Sequence, residues 1–326
     1  MNIMQPIEGL HHITAVARDA QKNLDFYRNI LGQRLVKKTV NFDDPGTYHF
    51  YFADTAGTPG SVLTFFPWQG IKPATRGNGA VNALAYNVPE GSLGFWQAHL
   101  KQNGVQPAAI EQRFGVDVLL FDDPDGLRIE LISALEQAGT QPWVDGPIDQ
   151  RFAIQGFHSA SLWLDQLEPT AELLTNHMGY TFIGQENNRY RFSGSSSALG
   201  SLIDIIHRPA GSPAVFGAGS VHHIAFRVPE DQAQLDYQQA LRTAGLGVTP
   251  VRDRSYFHSI YFREPGGVLF EIATNTPGFA TDEPAEQLGE ALKLPEWLEP
   301  QRSEIENLLV PLNHKPIQKV EYEHQN

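Results

Sequence analysis

Residues 79–90 read GAVNALAYNVPE, and residues 219–230 read GSVHHIAFRVPE. Each is an alternating, half-buried strand pattern running into Val-Pro-Glu. A stretch with helical spacing follows each, PEGSLGFWQAHLKQNG ending at Gly104 and PEDQAQLDYQQALRTAG ending at Gly245. Glycine is the common residue just past a helix end. Further on, FDDPDGLRIEL from Phe121 and FREPGGVLFEI from Phe262 place a tight turn ahead of a β-branched strand. The repeating unit is therefore a strand, a helix and several strands, with a turn before the last.

Two weaker copies flank these. GLHHITAVARDAQKNLDFYRNILG opens at Gly9, with Asp19 as N-cap and Gly32 as stop, and closes on GSVLTFFPW at residues 60–68. GFHSASLWLDQLEPTAELLTNHMG opens at Gly156 and closes on GSLIDIIHRP at residues 200–209. A period of roughly 60 to 75 residues is too long for a solenoid and suits a βαβββ module. Gly/Pro-rich stretches at residues 68–79, 139–147 and 208–219 read as linkers. The expected architecture is α+β, four βαβββ modules in two half-barrel domains. An N-terminal domain, 1–140, holds modules 9–68 and 79–135; a C-terminal domain, 150–275, holds modules 156–209 and 219–275. A helical tail, 276–326, follows, in which PEWLEPQRSEIENLLVPL reads as one helix with Trp297, Leu298, Ile305 and Leu309 as its apolar side. Packing on the outside of the domains is the favoured role for it, and a lid over the site the lesser one.

The 326 residues are 41% apolar and 19% charged, which describes a globular chain able to bury a core. There is no cysteine, which rules out disulfides, thiolate zinc sites, iron–sulfur clusters and a cysteine nucleophile, and fits a reducing cytoplasm. The opening MNIMQPIEGL lacks a signal-peptide pattern, and no apolar run is long enough for a membrane span. A net charge of −13 argues against nucleic acid as a partner.

With the copies aligned, position can be compared with position. The first strand offers His12, Ala83, Ser159 and His223; the last offers Phe65, Glu130, Ile205 and Glu271. Equivalent strand positions point to the same face of each unit. Two histidines and one carboxylate form the facial triad of non-haem iron(II) oxygenases. His223 and Glu271 share a module, and His12 is the remaining histidine at an equivalent place, so the first and fourth modules must face each other. The second and third would then pair around a site without ligands, leaving Glu130 alone as a salt-bridged strand residue. A lone strand histidine is usually structural, as His158 is read here, but His11-His12 and His222-His223 recur at matched positions.

LHHITAVA at Leu10, VHHIAFRVP at Val221, DRSYFHSIYFREPGGVLFEIAT from Asp253 and the ALKLPEWLEP tail resemble the vicinal oxygen chelate superfamily of glyoxalase I, bleomycin-resistance proteins and extradiol dioxygenases. They are most similar to its four-module hydroquinone ring-cleaving dioxygenase branch, and the likeness covers nearly the whole chain. The resemblance implies an Fe(II) cofactor, with Mn(II) also accepted by such a ligand set, held by His12, His223 and Glu271. It further implies roles beside the metal for His11, Thr14, His222, Arg254 and Tyr261. Thr14 shares the strand face of His12, whereas strict alternation turns His11 and His222 to the other face. His258 is a further candidate without independent support.

The expected reaction opens a hydroquinone or catechol ring with O2, in aromatic catabolism, with Arg254 stabilising anionic charge and a histidine or Tyr261 as general acid. A metal-dependent glyoxalase-type isomerase or lyase is an alternative; such sites commonly use a second glutamate, and Phe65 standing opposite Glu271 speaks against it. A non-catalytic ligand-sequestering protein is another, disfavoured by the intact triad. No G-x-S-x-G elbow supports a serine hydrolase. A homo-oligomer stays open.

Overall fold

The computed structural model describes residues 5–134, 141–195, 199–313 and 316–320. The expected end of the second module at residue 135 and the first residues of the 139–147 linker lie outside them.

Each copy of the repeat folds in the same order. The first contributes β1 (Leu10–Ala17), α1 (Ala20–Asp25), β2 (Arg34–Asn41), β3 (Asp44–Ala53) and β4 (Val62–Pro67). The second contributes β5 (Ala80–Pro89), α2 (Leu93–Gln102), β6 (Glu111–Arg113), β7 (Val116–Asp122) and β8 (Arg128–Ala134). The third has β9 (Phe157–Leu164), α3 (Glu168–Glu172), β10 (Thr181–Glu186), β11 (Arg189–Ser193) and β12 (Leu202–His207). The fourth has β13 (Val221–Val228), α4 (Asp231–Thr243), β14 (Arg252–Asp253), β15 (Phe257–Arg263) and β16 (Leu269–Pro277). Local chemistry sets the helix limits. The Asp19 carboxylate accepts from Lys22 N at 3.0 Å, and Gly104 and Gly245 end α2 and α4 at φ +77° and +87°.

Two curled sheets of eight strands result, in the orders β14-β15-β16-β13-β1-β4-β3-β2 and β10-β11-β12-β9-β5-β8-β7-β6. The first and fourth copies share one sheet, joined through the antiparallel pair β1–β13, as the histidine argument requires. The second and third copies share the other, joined through β5–β9. Helix and sheet faces pack over one continuous apolar core that includes Tyr27, Phe65, Tyr86, Trp96 and Phe226.

Register corrects the alignment of the last strands. In the parallel pairs, Ala225 lies opposite Glu271 and Ala85 opposite Glu130. The matching partners are Thr14 with Thr64 and Ser161 with Asp204. The equivalents of Glu271 are thus Thr64 and Asp204, one residue before Phe65 and Ile205. Phe65 and Ile205 point into the apolar core instead. A shift of one residue in a strand moves a side chain to the opposite face.

Bulges correct the second expectation. Along β1, two steps from Leu10 to His12 match one step on β13, from Phe226 to Ala225; along β13, His223 to Val221 matches Thr14 to Ala15. His11 and His222 are the extra residues of two bulges, which break strict alternation and let neighbouring side chains meet.

The tail lies against the first module. The single helix expected there is a 3-10 turn at Glu299–Gln301 followed by α5 (Arg302–Leu308), because Pro300 sits at the start of that turn. Leu298, Ile305 and Leu309 are buried with Val40 of β2, while Trp297 is half exposed and meets the Phe42 ring edge-on. Lys37, fully buried on β2, ties the tail down through ion pairs with Asp282 and Glu283.

Candidate metal centre

The three residues picked from the repeat converge. His12 comes from β1, His223 from its antiparallel neighbour β13, and Glu271 from β16 on the far side of β13. His12 Nε2 lies 3.3 Å from His223 Nε2, Glu271 Oε2 lies 3.4 Å from the first nitrogen and 2.9 Å from the second. Ligands about 2.1 Å from an ion and at right angles to one another are roughly 3.0 Å apart, so this triangle has the size of one face of an octahedron. The carboxylate supplies the test of fit. Glu271 is fully buried, its Oε1 accepts from the Ser259 hydroxyl, and its Oε2 accepts no hydrogen bond despite the two imidazole nitrogens beside it. An anionic oxygen left without a donor, facing two nitrogens, is what a divalent cation needs.

The far side of each ring is held by its neighbour in the bulge. His11 Nδ1 lies 3.0 Å from His12 Nδ1, and His222 Nδ1 lies 2.8 Å from His223 Nδ1. Burial, then the adjacent histidine, lowers both outer imidazoles to about 3, so each stays neutral. A neutral imidazole can accept the Nδ1–H of the inner ring, which leaves the inner Nε2 lone pair aimed at the triad.

A cavity of about 430 Å³ opens over the triad. Phe42, Phe66, Trp68 and Phe257 form apolar walls, and His12, Thr14, His49, His222, Arg254 and Tyr261 the polar surface. Arg254 Nε donates to the Tyr261 hydroxyl at 3.2 Å and Nη1 to Asp43 at 3.2 Å. Burial works against the guanidinium charge, but Tyr261, Asp43 and Glu271 raise its pKa; burial, then Glu271, raises that of Tyr261. At neutral pH the site therefore presents a cation and a protonated phenol.

Of the residues expected beside the metal, Thr14, His222, Arg254 and Tyr261 line this cavity and His11 backs His12. His258 lies elsewhere, 2.6 Å from Asp231 at the start of α4. His158 is buried and bonded to Ser159 at 3.0 Å. Glu130 pairs with Arg113 at 2.6 Å, and it is not alone: Asp204, at the other carboxylate position, pairs with Arg189 and Arg191 at 2.8 Å. Sequence reading missed His49 and Tyr51, which line the cavity from β3. Their spacing of two places them on one strand face, a signal that becomes useful only once the register of β3 is known.

The model of the Glyoxalase/Bleomycin resistance protein/Dioxygenase superfamily matches residues 9–131 and 156–272. The chain is 48% identical over 311 residues to the Bacillus subtilis protein named "Putative ring-cleaving dioxygenase MhqO", covering 95% of this chain and 98% of that one. It is 39% identical over 317 residues to a chlorohydroquinone/hydroquinone 1,2-dioxygenase of Sphingobium indicum, covering 94% and 97%. A Bacillus subtilis crystal structure named a "putative dioxygenase" superposes with a TM-score of 0.91 at 44% identity, covering 97% of this chain and all of the other. Maize glyoxalase I, 13% identical with a TM-score of 0.61 and covering 82% of this chain and 92% of its own, shares the fold. The chain belongs to the Glyoxalase/Bleomycin resistance protein/Dioxygenase superfamily. Within it, the chain is a member of the ring-cleaving dioxygenase branch.

Proposed function

We propose that the chain opens the ring of a hydroquinone with O2, using one Fe(II) ion held by His12, His223 and Glu271. The observation that carries this reading is the buried, donor-poor triad at the floor of an aromatic-walled cavity. The Sphingobium relative, named for chlorohydroquinone and hydroquinone, supports the substrate class. Bound in the triad, Fe(II) would acidify a phenol and supply the redox partner that dioxygen needs. The protein does the rest by position. Phe42, Phe66, Trp68 and Phe257 exclude water and take the flat faces of the ring. Arg254 stabilises negative charge on the substrate oxygens, and the Tyr261 hydroxyl is placed to donate a proton as charge develops. Thr14 offers a hydroxyl beside the triad. His11 and His222 fix the ligand rings. A cytoplasmic setting and an aromatic-catabolic role belong to the same proposal; among the described residues no helix is long and apolar enough to cross a membrane.

The test is dioxygen uptake by protein loaded with Fe(II) under anaerobic conditions and given hydroquinone, its methyl and chloro derivatives, and catechol. Uptake with a ring-opened product carrying both atoms of ¹⁸O2, lost in H12A and E271A, is the expected result. Stoichiometric Fe(II) with no uptake on any of these rings would contradict it, and the same assay with Mn(II) decides between the two ions.

A further inference from the structure

A chain of hydrogen bonds runs along the lining of the cavity, from Tyr51 on β3 to Thr14 on β1. The Tyr51 hydroxyl lies 2.9 Å from His49 Nδ1, His49 Nε2 lies 2.9 Å from Thr64 Oγ1, and Thr64 Oγ1 lies 2.8 Å from Thr14 Oγ1. Thr14 stands two residues from the ligand position His12, on the same strand. Thr64 takes the place in the first module that Glu271 has in the fourth.

Proton bookkeeping gives the chain one direction. Tyr51 is buried, and among the described residues its hydroxyl has His49 Nδ1 as its hydrogen-bond partner. Burial raises its pKa well above the ordinary value, so it keeps its proton. If Nδ1 carried the imidazole proton, the Tyr51 proton would be buried without an acceptor among the described residues, which is unfavourable. Tyr51 therefore donates to Nδ1, and His49, which burial keeps neutral, carries its proton on Nε2. Nε2–H donates to Thr64, and among the described residues Thr14 Oγ1 is the partner left to accept the Thr64 proton. The Thr14 proton is left pointing away from Thr64, toward the cavity that Thr14 lines.

We propose that His49, Thr64 and Tyr51 are positioning residues for the ring-opening reaction: they fix the Thr14 hydroxyl as a hydrogen-bond donor to an oxygen of the bound substrate. This rests on the reading of the site as a hydroquinone ring-opening centre. A donor locked in direction costs no reorientation when negative charge grows on that oxygen. Reversed, the same four groups would make Thr14 an acceptor-facing hydroxyl and repel the anion.

Two measurements test it. The first is the long-range ¹H–¹⁵N spectrum of the full chain labelled at histidine, with Zn(II) as the diamagnetic ion, the His49 signals identified by their loss in H49Q. The proposal requires the Nε2–H tautomer and a shift toward mixed tautomers in Y51F; a His49 protonated on Nδ1 overturns it. The second is steady-state oxygen uptake with hydroquinone. T64V, which keeps the shape of Thr64 and removes the hydroxyl, is expected to lower kcat about tenfold with little change in KM. H49Q keeps an N–H donor toward Thr64 and is expected to recover most of what H49L loses. T64V turning over like wild type overturns the proposal. If wild type itself opens no ring, the proposed function fails, and the tautomer spectrum still decides the direction of the chain.

Discussion

The molecule contains the same cup twice, and among the described residues only one of them brings two histidines and a glutamate together. In the sheet of the first and fourth copies, the four equivalent positions carry His12, His223, Thr64 and Glu271. In the sheet of the second and third, they carry Ser159, Ala83, Asp204 and Glu130. Even the bulges are kept: Asn82 and His158 are the extra residues of β5 and β9, matching His222 and His11. What differs is the company of the carboxylates. Glu271 lies beside two imidazole nitrogens and, among the described residues, is ion-paired with no guanidinium, whereas Glu130 is paired with Arg113 and Asp204 with Arg189 and Arg191. Arg191 also lies 4.1 Å from the centroid of the Phe114 ring, and the Phe114 backbone N–H donates to Glu186. One frame thus holds a plug of arginine-paired carboxylates in one copy and an open, aromatic-walled cavity in the other. The framework positions residues; the side chains at four places decide whether those positions hold metal.

The largest effect should come from breaking the open cup. H223A and E271A are expected to lose stoichiometric metal and at least about 10³-fold in oxygen uptake, read by metal analysis and an oxygen electrode. Breaking the plug should act on stability instead. R113L leaves Glu130 buried without its cation and should cost about 3 kcal/mol in denaturant unfolding, while kcat per folded molecule stays unchanged. H222F removes the partner of His223 Nδ1 and should weaken metal binding 10- to 100-fold, measured by competition with a chelator. The smallest response sharpens the comparison. A83H/S159H, which restores both histidines to the second cup, should bind no second ion, because Glu130 and Asp204 remain engaged by arginines; uptake of two ions per chain would show that arginine pairing is not what closes that cup.

The repeat, the helix limits and the triad were legible in the sequence because each depends on local pattern or on equivalence between copies. GAVNALAYNVPE and GSVHHIAFRVPE match closely enough that Ala83 and His223 align without a structure. The last strands of the weaker copies did not align. VLTFFP and LIDIIH are nearly continuous apolar runs, in which parity leaves no trace, so Thr64 and Asp204 were passed over for Phe65 and Ile205. Bulges are equally silent in sequence, and they are what turn His11 and His222 toward the ligand rings. His49 and Tyr51 stayed hidden for a third reason. Their strand belongs to the site only through the pairing of β3 with β4, which brings Tyr51 opposite Thr64.

Counting bound metal most directly tests the central claim, that one cup holds an ion and the other does not. Full-length protein would be titrated anaerobically with Fe(II), alongside E271Q and E130Q. One ion per chain, abolished in E271Q and unaltered in E130Q, is the result expected. Two ions in wild type, or undiminished binding in E271Q, would contradict the assignment of the triad.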